Sequence, residues 1–481
     1  MRTFLLRTRP FVWSIAGAIF CGLAAGSVFS TRTAIAQPPT GAKSSQAAVL
    51  VQEAEAARAP DVTAGMIEHA RAHPSGQAAY SFDASAFRGD VSDLPIGVFD
   101  SGIGGLTVLE AILALDAYDN ETLRPGPDGR KDFENERFVY LGDQANMPYG
   151  NYAASGKEDY LRELILKDVS FLLGRRYYPS ATASQPVYDK PPVKAIVIAC
   201  NTATAYGLED IRRAMEAWQL PVIVVGVVEA GAAEVANPPG DRPRQSEKPQ
   251  SMKSPGTVAV LATVGTCSSM AYPRAIGRAV GLAGQRVPTI IQQGSVDLAK
   301  AIEENPAAAG EHIRHDVLAL LEEYRRTGGS EPISTVVLGC THFPLVQDQI
   351  AAAFEQFRSS DASGGNSFAA LIAEEIRWID PAELTAKALF RELAKARLRR
   401  TADEATAAGE DLLFLSVPNR DWPGVQLNDN GGLDHDYKYG REVGQLSAES
   451  TRYVPMTQER LPASSLNLIR NRLPEVWKRL Q

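Results

Sequence analysis

The feature that most constrains the fold is a unit of strand, loop and helix that recurs along the chain. Apolar runs end in turns and lead into segments with apolar residues at helical spacing; the runs are IGVF, FVYLG, VKAIVIAC, PVIVVGVV, GTVAVLAT and ISTVVLGC. They are continuous rather than alternating, which is typical of strands buried on both faces of a parallel sheet. The sequence therefore predicts an α/β fold of open parallel sheets covered by helices.

Two of these units resemble each other more closely than the rest. AIVIACNTA and TVVLGCTHF each read as a β-branched run, a small residue, a cysteine and then a threonine, and they contain Cys200 and Cys340. In open parallel sheets, ligands bind beyond the carboxyl ends of the strands, where both thiols fall. The repeat predicts two similar domains, each presenting one thiol to the cleft between them.

Composition fits a soluble globular protein and argues against nucleic-acid binding. The 481 residues are 44% hydrophobic and 22% charged, with a formal net charge of −8 and no basic stripe. Arg2, Arg7 and Arg9 precede a mostly apolar stretch that ends at Ala36, which is the pattern of a secretory signal peptide. We therefore expect export to the periplasm, with a cytoplasmic protein or an uncleaved membrane anchor as the alternatives.

Composition also suggests the domain boundaries. We expect a signal peptide over 1–36, a linker or N-terminal extension over 37–93 with short helices near 46–57 and 62–72, and a C-terminal extension over 401–481. The tail is expected to pack partly on the first domain, and polar segments such as 123–136 to run over the surface.

The chemistry that the sequence offers centres on thiols. Most free cysteines are small buried hydrophobes, and Cys267 is expected to be one of them. Cys200 and Cys340 differ because each is followed by hydrogen-bonding residues at a strand end, and His342 stands two positions beyond Cys340. Asp100 follows IGVF before a glycine-rich turn, where it is either a turn cap or a functional carboxylate.

No cofactor or metal site is expected. The glycine loop lacks the third glycine of a dinucleotide fingerprint, and His312 and His315 fit a solvated helix face. Two opposed thiols without a cofactor suit the inversion of a carbon acid, in which one base removes a proton from one face and the other group delivers a proton to the opposite face.

Several segments also resemble the signature segments of glutamate racemase, in the same order: IGVFDSGIGGLTVL, GDQANMPYG, IVIACNTATA, VGVVEAGA and VVLGCTHFPLV. The FDSGIGGL form favours this family over the aspartate and hydantoin racemases that share its fold. The resemblance implies cofactor-independent interconversion of L- and D-glutamate, which supplies D-glutamate for peptidoglycan. It also implies two similar α/β domains with the active site between them, the first spanning 94–227 and completed by 370–400, and the second spanning 228–369.

The resemblance implies roles for individual residues as well. Cys200 and Cys340 would be the acid/base thiols, with Asp100 assisting the first and His342 the second. The assisting glutamate of the family corresponds to Glu303 in this sequence, with Glu304 as the alternative. Substrate contacts carry over to Ser101, Pro148, Tyr149, Gly150, Asn201, Thr202 and Thr341.

The substrate and the setting leave alternatives open. The signal peptide conflicts with a cytoplasmic supply of D-glutamate, because an oxidising compartment threatens free thiols. An exported racemase or carbon-acid isomerase acting on another amino acid or dicarboxylate is one alternative, and an amino-acid-binding protein without turnover is another. Glutamate is the expected partner, and the sequence leaves a homodimer open.

Overall fold

A computed structural model describes residues 62–237, 256–359, 368–400 and 410–481. The strands are β1 Ile96–Asp100, β2 Phe138–Gly142, β3 Ala195–Ile198, β4 Ile223–Gly226, β5 Thr257–Thr263, β6 Thr289–Ser295, β7 Ile333–Gly339, β8 Ile372–Ile379, β9 Leu412–Pro418 and β10 Thr451–Pro455. The predicted signal peptide and the predicted helix near 46–57 lie outside the described residues.

Helices cover the sheets and connect most of the strands. They are α1 Val62–Ala72, α2 Leu106–Ala114, α3 Gly150–Ala154, α4 Glu158–Leu173, α5 Asn201–Trp218, α6 Val227–Val235, α7 Val264–Ser268, α8 Ala271–Leu282, α9 Leu298–Glu304, α10 Ala309–Arg326, α11 Gln347–Ser359, α12 Pro381–Ala396, α13 His435–Gly440, α14 Ala463–Arg472 and α15 Pro474–Trp477. Within the described ranges, no helix is both long and apolar enough to cross a membrane.

The strands form two sheets, and each sheet defines one half of the fold. The first has the order β10-β9-β2-β1-β3-β4, in which only the β9–β10 pair is antiparallel, and the second has the order β6-β5-β7-β8 with every pair parallel. Residues Ile96, Val98, Val258 and Val260 are wholly buried because helices cover the sheets. The predicted α/β class with two open parallel sheets is confirmed.

The structure places two segments differently from their sequence-based expectations. Strand β8 pairs with β7 in the second sheet, so the chain returns to the first half at about residue 380 rather than 370. Segment 123–136 is not wholly superficial, because Phe133 is buried and packs edge-on against Phe138 and Phe390. A single aromatic residue in a polar stretch supplies enough apolar area to hold it against the core.

The C-terminal extension, whose role the sequence does not reveal, completes the first sheet. Strand β9 pairs in parallel with β2, and β10 pairs antiparallel with β9. At the other end of the chain, α1 packs against α4 and α5. Both extensions therefore cover the half of the molecule that carries Cys200.

Candidate active site

The two thiols lie at the carboxyl ends of their strands. Cys200 follows β3 and Cys340 follows β7, one in each half of the fold. Both are free thiols, and each residue is 6% exposed. Both thiols are therefore almost fully shielded from solvent in this structure.

Cys200 caps the N-terminus of α5. Its Sγ accepts a hydrogen bond from Ala203 N at 3.4 Å and lies 3.6 Å from Ser101 Oγ. Burial raises the pKa of the Cys200 thiol to about 12, with a further upward contribution from the charge of Asp100, against the lowering effect of the hydrogen bonds. Cys200 is therefore a neutral thiol at pH 7, which is the form that can deliver a proton.

Asp100 ends β1 on the same side of the site. The residue is 1% exposed, and its Oδ2 accepts a hydrogen bond from Gly102 N at 3.0 Å. Burial raises the pKa of the Asp100 carboxyl, while the cationic form of His342 acts in the opposite direction. Asp100 thus influences both the Cys200 thiol and the imidazole from the other half.

Cys340 faces a histidine that is held by a carboxylate. His342 Nδ1 lies 3.7 Å from Cys340 Sγ, and His342 Nε2 lies 2.6 Å from Glu303 Oε1. Burial lowers the pKa of His342, but hydrogen bonds and charge interactions with Cys340 and Glu303 outweigh it, so the pKa is well above its ordinary value. A cationic imidazole beside a sulfur stabilises the thiolate, which is the form that removes a proton.

Polar side chains from the two halves meet at the N-terminus of α5, the helix that Cys200 caps. Thr202 Oγ1 lies 3.1 Å from both Thr263 Oγ1 and Thr266 Oγ1. Nearby, the Tyr272 hydroxyl donates to Asn201 Oδ1 at 2.6 Å. These groups place hydroxyls and an amide at the N-terminus of α5, where the helix dipole favours a bound anion.

Glycines allow the two halves to approach closely here. A Cβ on Gly104 would lie 2.6 Å from Thr341 Oγ1 and 2.7 Å from His342 Nδ1. A Cβ on Gly265 would lie 2.7 Å from Gly150 Cα. The structure therefore brings the glycine-rich turn after β1 directly against the residues that follow Cys340.

The predicted contact residues have different surroundings. Thr341 accepts a hydrogen bond at its carbonyl oxygen from Thr107 Oγ1 at 3.1 Å. Pro148 and Gly150 are half-buried, whereas Tyr149 is 1% exposed. The Tyr149 hydroxyl lies 2.6 Å from a carboxyl oxygen of Asp143 and 2.6 Å from one of Asp168. The Tyr149 hydroxyl is occupied by these two carboxyl groups. Only the backbone of Tyr149 is therefore available to contact a substrate.

Thr263 contacts the same cluster of hydroxyls but is missing from the predicted site residues. Thr263 ends β5 and caps α7, accepting a hydrogen bond from Thr266 N at 3.3 Å. The signal was present, because Thr263 stands at the carboxyl end of a strand as Cys200 and Cys340 do. The repeat shared by AIVIACNTA and TVVLGCTHF has a cysteine at this position. Thr263 has a hydroxyl there instead, so a search for that repeat does not find it.

The geometry describes a closed site with two sulfur atoms prepared differently. One sulfur sits as a neutral thiol near a carboxylate, and the other sits beside a cationic imidazole. One group can give a proton while the other takes one, and hydroxyl and amide donors lie between the two halves. This arrangement can remove a proton from a carbon atom and deliver one to it.

Comparison with known proteins agrees with this chemistry. Residues 179–389 match the family model described as Asp/Glu/Hydantoin racemase. The glutamate racemase of Pediococcus pentosaceus is 30% identical over 259 residues, covering 54% of this chain and 73% of the relative. That of Limosilactobacillus fermentum is 30% identical over 265 residues, covering 54% and 72%.

Solved structures of glutamate racemases are also similar. The Bacillus anthracis isoform is 24% identical with a TM-score of 0.42, covering 63% of this chain and 83% of that one. The Francisella tularensis enzyme, solved with D-glutamate, is 22% identical with a TM-score of 0.43, covering 68% and 89%. On the identity and coverage of the sequence relatives, the chain belongs to the glutamate racemase family.

Proposed function

We propose that this protein interconverts L- and D-glutamate without a cofactor, using Cys200 and Cys340 as its two acid/base groups. The observation that carries the proposal is the difference between the two thiol environments. Cys200 is a buried neutral thiol, and Cys340 faces His342, whose pKa is raised well above its ordinary value. A two-base inversion needs one protonated and one deprotonated group at the start of each turnover.

Protons balance over one turnover in this scheme. The Cys340 thiolate takes the α-proton from one face of glutamate, and the Cys200 thiol gives its proton to the opposite face. The product leaves a Cys200 thiolate and a Cys340 thiol, which is the starting state for the reverse reaction. The two groups return to the first state by exchange with solvent when the site opens.

Binding of the substrate carboxylates lowers the barrier to removing a weakly acidic α-proton. The N-terminus of α5 offers the side chains of Asn201 and Thr202, and Thr341 offers a hydroxyl from the other half. Fixed dipoles in a closed, dry site stabilise the negative charge that develops as the proton leaves. General acid–base catalysis alone accelerates a reaction by about 10²–10⁴-fold. These donors must therefore supply much of the remaining rate enhancement.

We further propose one of two settings, which conflict with each other: a cytoplasmic protein that supplies D-glutamate for peptidoglycan synthesis, or a protein that residues 1–36 direct out of the cytoplasm. The first rests on the family and the second on the N-terminal sequence pattern. Fractionation of cells that express the full chain, with sequencing of the mature N-terminus, tests export. A protein that begins at Met1 in the cytoplasmic fraction would contradict it.

A chiral assay tests the proposed reaction. The purified, reduced protein is incubated separately with L-glutamate, D-glutamate and L-aspartate, and the enantiomers are separated and quantified. We expect each glutamate enantiomer to reach a near-equal mixture and aspartate to react much more slowly. Conversion of aspartate alone would identify a different racemase, and binding of glutamate without conversion would identify a binding protein.

Replacing Glu303 with glutamine is expected to shift the pH profile of kcat/KM. Glu303 helps to raise the pKa of His342, so removing its charge lowers that pKa and the imidazolium is lost at a lower pH. The alkaline limb should move towards lower pH by about 1–3 units, the range for an adjacent opposite charge. Glu304→Gln is the neighbouring control, expected to keep the wild-type profile. An unchanged alkaline limb in Glu303→Gln would contradict this role.

A further inference from the structure

A chain of buried polar groups lies behind the loop that carries Pro148 and Gly150. The Tyr149 hydroxyl is 2.6 Å from Asp143 Oδ2 and 2.6 Å from Asp168 Oδ2. All three residues are 1% exposed. Asp168 comes from α4, so the chain connects the loop to a helix outside the active site.

Hydrogen counting shows that this group holds one extra proton. A tyrosine hydroxyl has a single hydrogen to donate and otherwise accepts. It therefore satisfies one carboxylate, and the second short contact requires a carboxylic acid that donates to the tyrosine oxygen. Two ionised carboxylates at this spacing around one hydroxyl would repel each other in a buried site.

The surroundings favour Asp168 as the protonated member. Asn146 Nδ2 donates to both oxygens of Asp143 at 2.9 Å, which suits an ionised carboxylate. Asp168 receives a hydrogen bond from Tyr453 at 3.0 Å, and its neighbour Lys167 is paired with Glu163 at 2.7 Å. Burial and the charge of Asp143 raise the pKa of Asp168 well above its usual range.

This series of hydrogen-bonded polar groups contacts residues of the C-terminal extension at both of its ends. Arg441 Nη2 donates to Asn146 Oδ1 at 2.6 Å and to the Tyr152 hydroxyl at 2.9 Å. Tyr453, at the other end, belongs to β10. Lys438 Nζ also donates to the carbonyl oxygen of Met147 at 2.7 Å. Burial raises the pKa of the Asp143 carboxyl, and the positive charge of Arg441 and the hydrogen bonds to Asp143 act in the opposite direction.

We propose that Asp168 and Arg441 are positioning residues for the loop that carries Pro148 and Gly150: Asp168 acts as a neutral acid that orients Tyr149, and Arg441 acts as the cation that holds Asn146. The C-terminal extension then helps to hold an active-site loop in place. Residues 143–150, Asp168 and Arg441 all lie outside the range matched by the family model. The effect on catalysis rests on the proposed function, whereas the effect on the loop does not.

Hydrogen exchange of the loop tests the proposal without requiring turnover. We would measure amide exchange of a peptide covering 144–152 by mass spectrometry in the full chain and in four variants: Asp168→Asn, Asp168→Leu, Arg441→Met and Arg176→Met. Asparagine keeps a donor for Tyr149 and resembles a neutral acid, whereas leucine does not. Arg176→Met removes an arginine that pairs with Glu449 of the extension but has no described contact with the loop.

We expect exchange of the loop to be about tenfold faster in Asp168→Leu and Arg441→Met, since each leaves buried polar groups unpaired. Asp168→Asn and Arg176→Met should keep the wild-type exchange of this peptide, although Arg176→Met should lower Tm. Equal acceleration in Asp168→Asn and Asp168→Leu would show an ionised Asp168 and overturn the proposal. So would loop exchange in Arg176→Met that matches Arg441→Met.

Kinetics supply the second readout. In the proposed racemase, Asp168→Leu and Arg441→Met should raise KM for glutamate about tenfold with a smaller change in kcat, and Asp168→Asn should restore KM. If the wild-type protein does not convert glutamate, the proposed function fails while the exchange measurement still decides the positioning roles. If it converts glutamate but KM is unchanged in all variants, the positioning roles fail alone.

Discussion

Replacing either Cys200 or Cys340 with serine is expected to lower kcat for glutamate racemisation by about 10²–10⁴-fold, the usual contribution of a general acid or base. A serine hydroxyl at the same position is a far weaker acid than a thiol. The variant therefore lacks an effective group to donate or accept the α-proton on that face of the substrate. The double variant should be little worse than either single variant, because both thiols act in one inversion and their effects do not add. Initial rates in both directions, with separated enantiomers, provide the measurement.

Cys267→Ser is the matched control for these variants. Cys267 is the third described free thiol, and it is half-buried in α7 rather than placed at the end of a strand. We expect wild-type rates from it. A Cys200→Ser or Cys340→Ser variant that racemises glutamate at the wild-type rate would contradict the assignment of that thiol.

Replacing Gly104 with alanine is expected to lower kcat/KM by about 100-fold, the cost associated with a misplacement of about 1 Å at a catalytic group. The new Cβ would overlap His342 Cε1 and lie 2.6 Å from Thr341 Oγ1. His342 has no easy way to retreat, because Glu303 holds its other ring nitrogen at 2.6 Å. Either His342 shifts away from Cys340, or the two halves fail to close.

The control for this variant is Gly277→Ala in α8. A Cβ at Gly277 meets no atom within 4 Å, and alanine is the better helix former. We expect Gly277→Ala to keep kcat/KM and to raise Tm slightly. Full activity in Gly104→Ala would show that the glycine turn and His342 are not in contact during turnover.

The position of the two thiols could be predicted because it depends on local patterns. A continuous β-branched run fixes a buried parallel strand, and the residue that follows such a strand lies at the ligand-binding edge. Thr202 and Asn201 follow from the same rule, since they begin the helix that Cys200 caps. The side chains named for the site come mostly from these strand ends.

Other features depend on contacts between residues far apart in the sequence, and local patterns are silent about them. Strand β8 carries two acidic residues and an arginine, Glu374, Glu375 and Arg377, and its pairing with β7 is visible only in the fold. Tyr149 was predicted to contact substrate, but its hydroxyl turns to Asp168, 19 residues away. The part played by Arg441 requires a contact across 295 residues.

The central claim is that two thiols invert glutamate through its α-carbon, and loss of the α-proton in D₂O tests it most directly. Proton NMR of L-glutamate with the reduced wild-type protein, followed by chiral separation, gives the measurement. The account predicts that the α-proton signal disappears while D-glutamate carrying deuterium at the α-carbon appears. D-glutamate that retains the original proton, or no loss of the α-proton from either enantiomer, would contradict it.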